Sequence, residues 1–380
     1  MKQNTIAVLE SKQEFGLTVG LDLGDRMSYY CVLDGAGQKQ AEGKVATQKV
    51  ALEQWLRQLR PSRVAMEAGT HSPWVSRVVQ ACGSEAIVAD VRQVAAIWQN
   101  RRKSDRVDAE MLARLARADR QLLHPIQHRG ERAQQDLAAI RARDALVRAR
   151  TLLINTVRGL VKGLGQRVPR CSAECFARRV VEAVPRVLQQ ILRPCLRALE
   201  ELNRDIRGYD RKLNAVTRTR YRETRFLRQV QGVGPLTSLA YVLTLENPRR
   251  FARSRTVGAY LGLTPRRDQS GDRDAQLGIS KAGNEYLRRL LVGSAQHLLG
   301  PFGRPCELRQ WGLHLAQRGG KNGKKRAVVA VARKLAVLLH RLWISHAKYE
   351  PWRRGSPPES STGGRLIPPP VLAEAVSAAA

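Results

Sequence analysis

Apolar and polar residues alternate through 16–23 (GLTVGLDL), the mark of a half-buried strand, and 27–33 (MSYYCVL) follows as a second strand closed by the turn signal Asp34-Gly35. A third strand runs through 38–46, so the chain opens as an antiparallel meander. The period then changes. Apolar positions at helical spacing predict helices over 48–59 and 72–82, with short strands at 63–67 (RVAME) and 85–89 (EAIVA). A further amphipathic helix covers 105–118 (DRVDAEMLARLARA), which sets Asp105 and Asp108 one turn apart on one face. The order β-β-β-α-β-α-β-α argues for a mixed sheet flanked by helices.

From about 132 to 220 the pattern is almost wholly helical, broken near Gly163-Leu164-Gly165 and Val168-Pro169. It predicts two long helices returning on each other as an antiparallel hairpin, a natural dimerisation or spacer element. After 225 the texture changes again. Gly232-Val233-Gly234 lies between two apolar segments, as in a helix-hairpin-helix unit whose backbone amides can meet a phosphate; a plain helix-helix turn fits equally well. A small, mostly helical region then runs to about 348. The rest is rich in Pro, Ser and Gly and reads as a disordered tail. The fold class expected is therefore α/β plus all-α. A domain of RNase H-like order over 16–125 follows an extension at 1–15. A helical coiled-coil hairpin covers 126–224, a C-terminal domain with a helix-hairpin-helix-like element 225–348, and the tail 349–380.

Charge narrows the partners. Against 33 Asp plus Glu stand 66 Lys plus Arg, a formal +33 over 380 residues, which points to a polyanion, with nucleic acid first. A basic membrane-surface protein is the rival, but no anchor or bulky amphipathic face supports it, and no apolar run is long enough to span a bilayer. With no signal-peptide core at the N-terminus, a cytoplasmic, nucleoid-associated protein is expected. The six cysteines are scattered. Cys171 and Cys175 could share a helical face, yet with no second Cys or His pair nearby they read as structural and not as zinc ligands.

Candidate chemistry lies in acidic residues at positions where the pattern asks for apolar ones. Asp22 sits inside the first strand, where an unpaired charge is costly. Glu67 closes the fourth strand, in VAMEAGTHS, and Asp105 and Asp108 open a helix in RRKSDRVDAEMLARL. Singly each has a plain reading: strand-end turn, surface acid, helix cap and dipole partner. Together they fit a fold in which the first strand, the fourth strand and a late helix point to one spot, and phosphodiester chemistry with two metal ions needs such converging carboxylates on rigid elements.

The succession GLDLGD, VAMEAGTHS, KSDRVDAEMLARL, GVG, GAYLGLTPRRDQSG and ISKAGNEYLRRLL resembles the DEDD transposases of minimal insertion sequences, the bridge-RNA-guided recombinases, over about 16–345. The resemblance implies a RuvC-like domain whose four acidic positions, matched by Asp22, Glu67, Asp105 and Asp108, bind Mg2+, in a two-metal site. It implies that Ser270, in Asp268-Gln269-Ser270-Gly271, attacks a DNA phosphate and holds a covalent phosphoserine intermediate. It also implies a structured guide RNA whose two loops pair with the DNA partners, and a homo-oligomer, a dimer or a tetramer in synapsis.

On its residues alone RRDQSGDRD is a polar turn, Ser270 a loop serine, and no His stands near to deprotonate it. Ser280, in GISKAGNEYLRRLL, is the runner-up nucleophile and looks more like the start of a helix. Arg266, Arg267, Arg273, Lys281 and Arg288, with Lys321, Lys324 and Lys325 of RGGKNGKKRA, are expected to contact nucleic-acid phosphates, fixing register and not sequence. Aromatics are few, so base stacking on Trp74, Trp98 or Tyr260 stays open, with packing the favoured reading of all three. Two alternatives stay open: an RNase H-like nuclease using metal-activated water, and a noncatalytic RNA- or DNA-binding protein.

Overall fold

The computed structural model describes residues 16–90, 104–270, 273–320 and 322–352, with backbone alone at 267–270 and 273–276. The extension at 1–15, Trp98, Lys321 and the tail from 353 lie outside the described residues. Contacts divide the chain into two compact units after Glu131.

In the first unit, β1 (Leu17–Asp22), β2 (Met27–Asp34), β3 (Lys39–Ala46), β4 (Arg63–Glu67) and β5 (Glu85–Ala89) form one sheet in the order β3-β2-β1-β4-β5. The first three are the antiparallel meander, and β1, β4 and β5 run parallel, so the sheet is mixed. Alternation decides which helix covers which face. Val19, Leu21, Val64 and Met66 point to α1 (Lys49–Gln58) and α2 (Ser72–Ala81) and build one core with them. Their neighbours Cys31, Leu33, Ala65 and Ile87 point the other way, onto α3 (Asp105–Ala118). Gly20 is on this second face, where a Cβ would lie 1.9 Å from Ala109 O and 2.6 Å from Ala113 N. The bare backbone of β1 thus seats α3 directly.

The second unit opens with two long helices, α4 (Glu131–Gly163) and α6 (Arg186–Thr219), with the short α5 (Phe176–Ala183) between them. Asp136 takes hydrogen bonds from Arg220 and Tyr221, Arg143 reaches Asp210, and Arg150 reaches Asn203. One partner's number rises as the other's falls, so α4 and α6 run antiparallel. α6 buries Leu188, Leu192, Leu196, Leu199, Asn203 and Ile206, the three- and four-residue steps of a helix seam. α5 was not expected; its Phe176, Ala177 and Val180 close the far end of this seam.

After α7 (Thr224–Leu227) comes α8 (Pro235–Leu245), in which every residue from Thr237 to Leu245 is buried. Tyr241 donates to Ala336 O at 2.6 Å, which removes the cost of an unpaired hydroxyl in that core. Around α8 lie α9 (Thr256–Tyr260), α10 (Glu285–Leu299), α11 (Glu307–Gln317) and α12 (Gly323–Ser345), with a two-stranded hairpin of β6 (Pro265–Ser270) and β7 (Arg273–Ile279).

Three local expectations are corrected. RRDQSGDRD is not a polar turn throughout: Ser270 ends β6 and pairs with Arg273 of β7. Ser280 does not start a helix, because its N–H closes onto Thr264 O and the cap of α10 is Asn284, whose side chain accepts from Leu287 N. Cys171 and Cys175 share no helical face, since both lie in the connection before α5, with Cys175 at that helix's N-cap. As to Gly232-Val233-Gly234, the helix before it is a single turn, so the two flanking helices are very unequal.

Candidate active site

Asp22 is the last residue of β1, and Glu67 the last of β4. The parallel register pairs Leu21 with Met66, so one step further along Asp22 stands beside Glu67. Both follow a residue on the α1/α2 face, so by alternation both belong to the α3 face. The direction of α3 completes the geometry. Its Ala109 and Ala113 cross Gly20, while Ala116 O accepts from Arg63 Nη1 at 3.3 Å at the start of β4. The helix therefore runs against β1 and β4, and its first turn, with Asp105 and Asp108, comes to the strand ends that carry Asp22 and Glu67. Asp108 is 8% exposed, Asp22 and Glu67 are half-buried, and Asp105 is exposed.

The start of α3 suits carboxylates. The Ser104 side chain caps it by accepting from Val107 N, and the helix dipole favours negative charge in the first turn. Glu110, one turn from Arg106, is committed elsewhere: Lys39, donating at 2.6 Å, and Arg114 hold its carboxyl below the usual carboxylate range.

Loops at the same end of the sheet supply groups the sequence reading passed over. His71 follows Glu67 by four residues, receives Trp74 Nε1 at its Nδ1 and turns Nε2 toward Asp25 at 3.6 Å. Ser72 accepts from Gly69 N, donates to Gly69 O, and lies 2.8 Å from His128 Nε2. Burial pushes the His128 imidazole below its ordinary pKa, aided by the charges of Arg129 and Arg77, so it is neutral near pH 7. The available signal was the run GTHS directly after Glu67; the partner from 128 was not legible.

An all-carboxylate donor set suits a hard divalent cation such as Mg2+. Among the described residues no group of three or more His, Cys, Asp or Glu side chains is gathered closely enough to hold a metal ion. The four acids share one end of one face without forming a closed coordination shell.

In the second unit Ser270 lies at the end of β6, opposite Arg273. Arg266, Lys281, Lys324 and Lys325 are exposed; the side chains of Arg267 and Arg273 are among those not described. Arg288 is corrected. At 8% exposure it donates to Leu261 O and Ala282 O, so its guanidinium ties two loops together and does not face a nucleic acid. The Gly232–Gly234 turn borders a cavity of about 570 Å³ lined also by Arg228, Thr237, Arg289 and His297.

The sequence that builds these two units has counterparts among known proteins. A family model described as Transposase, of the DEDD IS110 type, matches residues 19–165, and one described as Transposase IS116/IS110/IS902 family matches 224–305. Both place the chain among transposases, enzymes of DNA recombination. It belongs to the IS116/IS110/IS902 transposase family: it is 30% identical to a probable family 20 transposase of Pseudomonas aeruginosa over 80% of this chain and 90% of that one. It is also 29% identical to a transposase for insertion sequence element IS1111A of Coxiella burnetii, over 94% of this chain and 97% of the relative. A transposase for insertion sequence element IS1328 of Yersinia enterocolitica is 27% identical over 73% and 82%. DEDD transposases are generally dependent on a divalent metal. No helix among the described residues is long and apolar enough to cross a membrane.

Proposed function

We propose that this transposase cuts and rejoins DNA with Ser270 as nucleophile and Asp22, Glu67, Asp105 and Asp108 as a Mg2+-binding set on an RNase H-like, RuvC-like domain. The observation that supports this most is the strand register and helix direction that bring those four acidic residues to one end of one sheet face. Ser270 Oγ attacks the scissile phosphorus; an Oγ–P bond forms, the bond to a deoxyribose oxygen breaks, and the proton passes to that leaving oxygen. Attack by the hydroxyl of a second DNA end reverses the step and rejoins the strand, so the bond's energy is kept. When bound, Mg2+ would neutralise the phosphate and make it a better electrophile. Asp22, Glu67, Asp105 and Asp108 would hold it, and Arg266, Arg267 and Arg273 would bind phosphate.

The reading extends to the rest of the chain. The helical hairpin over 126–224 serves as the dimer element, with tetramers in synapsis. The turn at Gly232–Gly234 is a seat for DNA phosphate, and Lys281, Lys321, Lys324 and Lys325 add backbone contacts. The +33 charge accommodates a guide RNA together with DNA.

Metal titration tests the carboxylate set without relying on turnover. Mg2+ at about one hundred times its dissociation constant should stabilise the wild type by about 2.7 kcal/mol. Asp22→Asn and Glu67→Gln should each remove most of the rise in melting temperature. An equal rise in wild type and variants would place the ion elsewhere.

A further inference from the structure

In the second unit a cleft of about 1210 Å³ runs along α12 and ends against the base of the β6–β7 hairpin, at Pro265 and Ile279. Its volume exceeds the ~300–1,000 Å³ of a small-ligand pocket, which favours a polymer. One side is a single face of α12, where basic positions (Lys325 and Arg326, then Arg333 and Lys334, then Arg341) alternate with apolar ones (Val329 and Ala330, then Val337 and Leu338). From Lys325 to Arg341 this face is about 24 Å long. Leu263, Leu308, Trp311 and Leu315 supply the opposite, mainly apolar floor, and Glu307 and Glu350 also line the cleft.

Two of these cations have contacts within the fold: Arg326 donates to Gly319 O at 3.4 Å, and Lys334 lies over the Trp311 ring. Elsewhere in this unit arginines are held by acids, as Arg143 by Asp210 and Arg289 by Asp144. Among the described residues none of Lys325, Arg326, Arg333, Lys334 or Arg341 is in an ion pair, and all are exposed. Lys334, exposed overall, has its Nζ 3.5 Å from the centre of the Trp311 ring, and partial desolvation there lowers its proton affinity, only partly offset by Glu307. An anion beside it restores what that position costs.

We infer that this cleft binds unpaired single-stranded DNA, with phosphates along the basic positions of α12 and bases against Trp311 and the apolar floor. Duplex DNA presents phosphates but buries its base faces in its own stack, so an apolar floor gains nothing from it; a single strand offers both. DNA rather than RNA is favoured by the β6–β7 hairpin, which starts in the cleft and carries Ser270 at its far end, about 17 Å along the strand. A strand opened next to the cut would lead from one to the other. The assignment rests on the recombinase reading above.

The test uses the full chain and labelled 20-nucleotide single-stranded DNA, the same sequence as duplex, and the same sequence as RNA. Trp311→Ala should weaken single-stranded DNA by about 5- to 100-fold. The triple variant Arg333→Gln, Lys334→Gln, Arg341→Gln should lower the log-log salt slope by about 2. Duplex affinity should change less than about twofold in both, and Trp311→Phe, which keeps an aromatic face, should lose less single-stranded affinity than Trp311→Ala. Equal losses on duplex, a larger loss on RNA than on DNA, or no loss at all would each overturn the assignment. If wild type fails to bind any of the three, the recombinase reading fails as well; if it binds all and only the variants are silent, the cleft assignment alone is lost.

Discussion

Asp22→Asn should lower DNA strand cleavage by about a thousandfold or more, equivalent to losing roughly 4 kcal/mol of transition-state stabilisation. The change is isosteric and removes one charge from the end of β1, where Glu67 is its lateral neighbour and the first turn of α3 brings Asp105 and Asp108. A carboxylate that only capped a strand would be replaced by an amide at little cost. One that holds a cation would not. The same substitution should leave DNA affinity within about twofold, because phosphate contacts come from basic groups. Cleavage within tenfold of wild type would remove Asp22 from the site.

Gly20→Ala should destabilise the first unit by about 3 kcal/mol and lower its melting temperature by about 10 °C. The added methyl would stand 1.9 Å from Ala109 O and 2.6 Å from Ala113 N, and both are helix backbone that cannot rotate aside. Relief requires α3 to move away from β1, which carries Asp105 and Asp108 away from Asp22 and Glu67. Activity should therefore fall more than the unfolded fraction accounts for. Gly35→Ala is the control, since nothing lies within 4 Å of its Cβ position. Melting by circular dichroism beside a cleavage assay separates the two effects; a Gly20→Ala protein with wild-type melting would show that α3 is not seated on β1 as described.

Much of the first unit was legible because its two sheet faces are both covered and its periods are clean. The strands 63–67 and 85–89 and the helix 105–118 fall where alternation and helical spacing place them. Order and period alone do not give the direction of α3 across the sheet; that follows from Gly20 and from Arg63 reaching Ala116 O. The second unit was read less well, for a physical reason. β6 is polar nearly throughout (PRRDQS), so no apolar alternation announces it, and the Gly271-Asp272 pair between the strands was the one usable hairpin signal. Arg288 resembles any other arginine of a basic helix until its burial against Leu261 O and Ala282 O is seen. The run 318–327 stands out by its charge, whereas the cleft along α12 depends on Trp311 and Leu263 from other elements and is not readable locally. Ser270 itself came from the family resemblance; its neighbours gave no chemical reason to choose it.

The most direct measurement is a denaturing gel of end-labelled DNA after reaction with wild type and with Ser270→Ala, in Mg2+, with and without protease. Cutting and rejoining through serine predicts a labelled protein–DNA species in the wild type that protease releases, and loss of both that species and the recombined product in Ser270→Ala. Cleaved DNA in the variant at the wild-type level, with no protein-linked DNA in either, would contradict the account and assign the cut to water at the carboxylates.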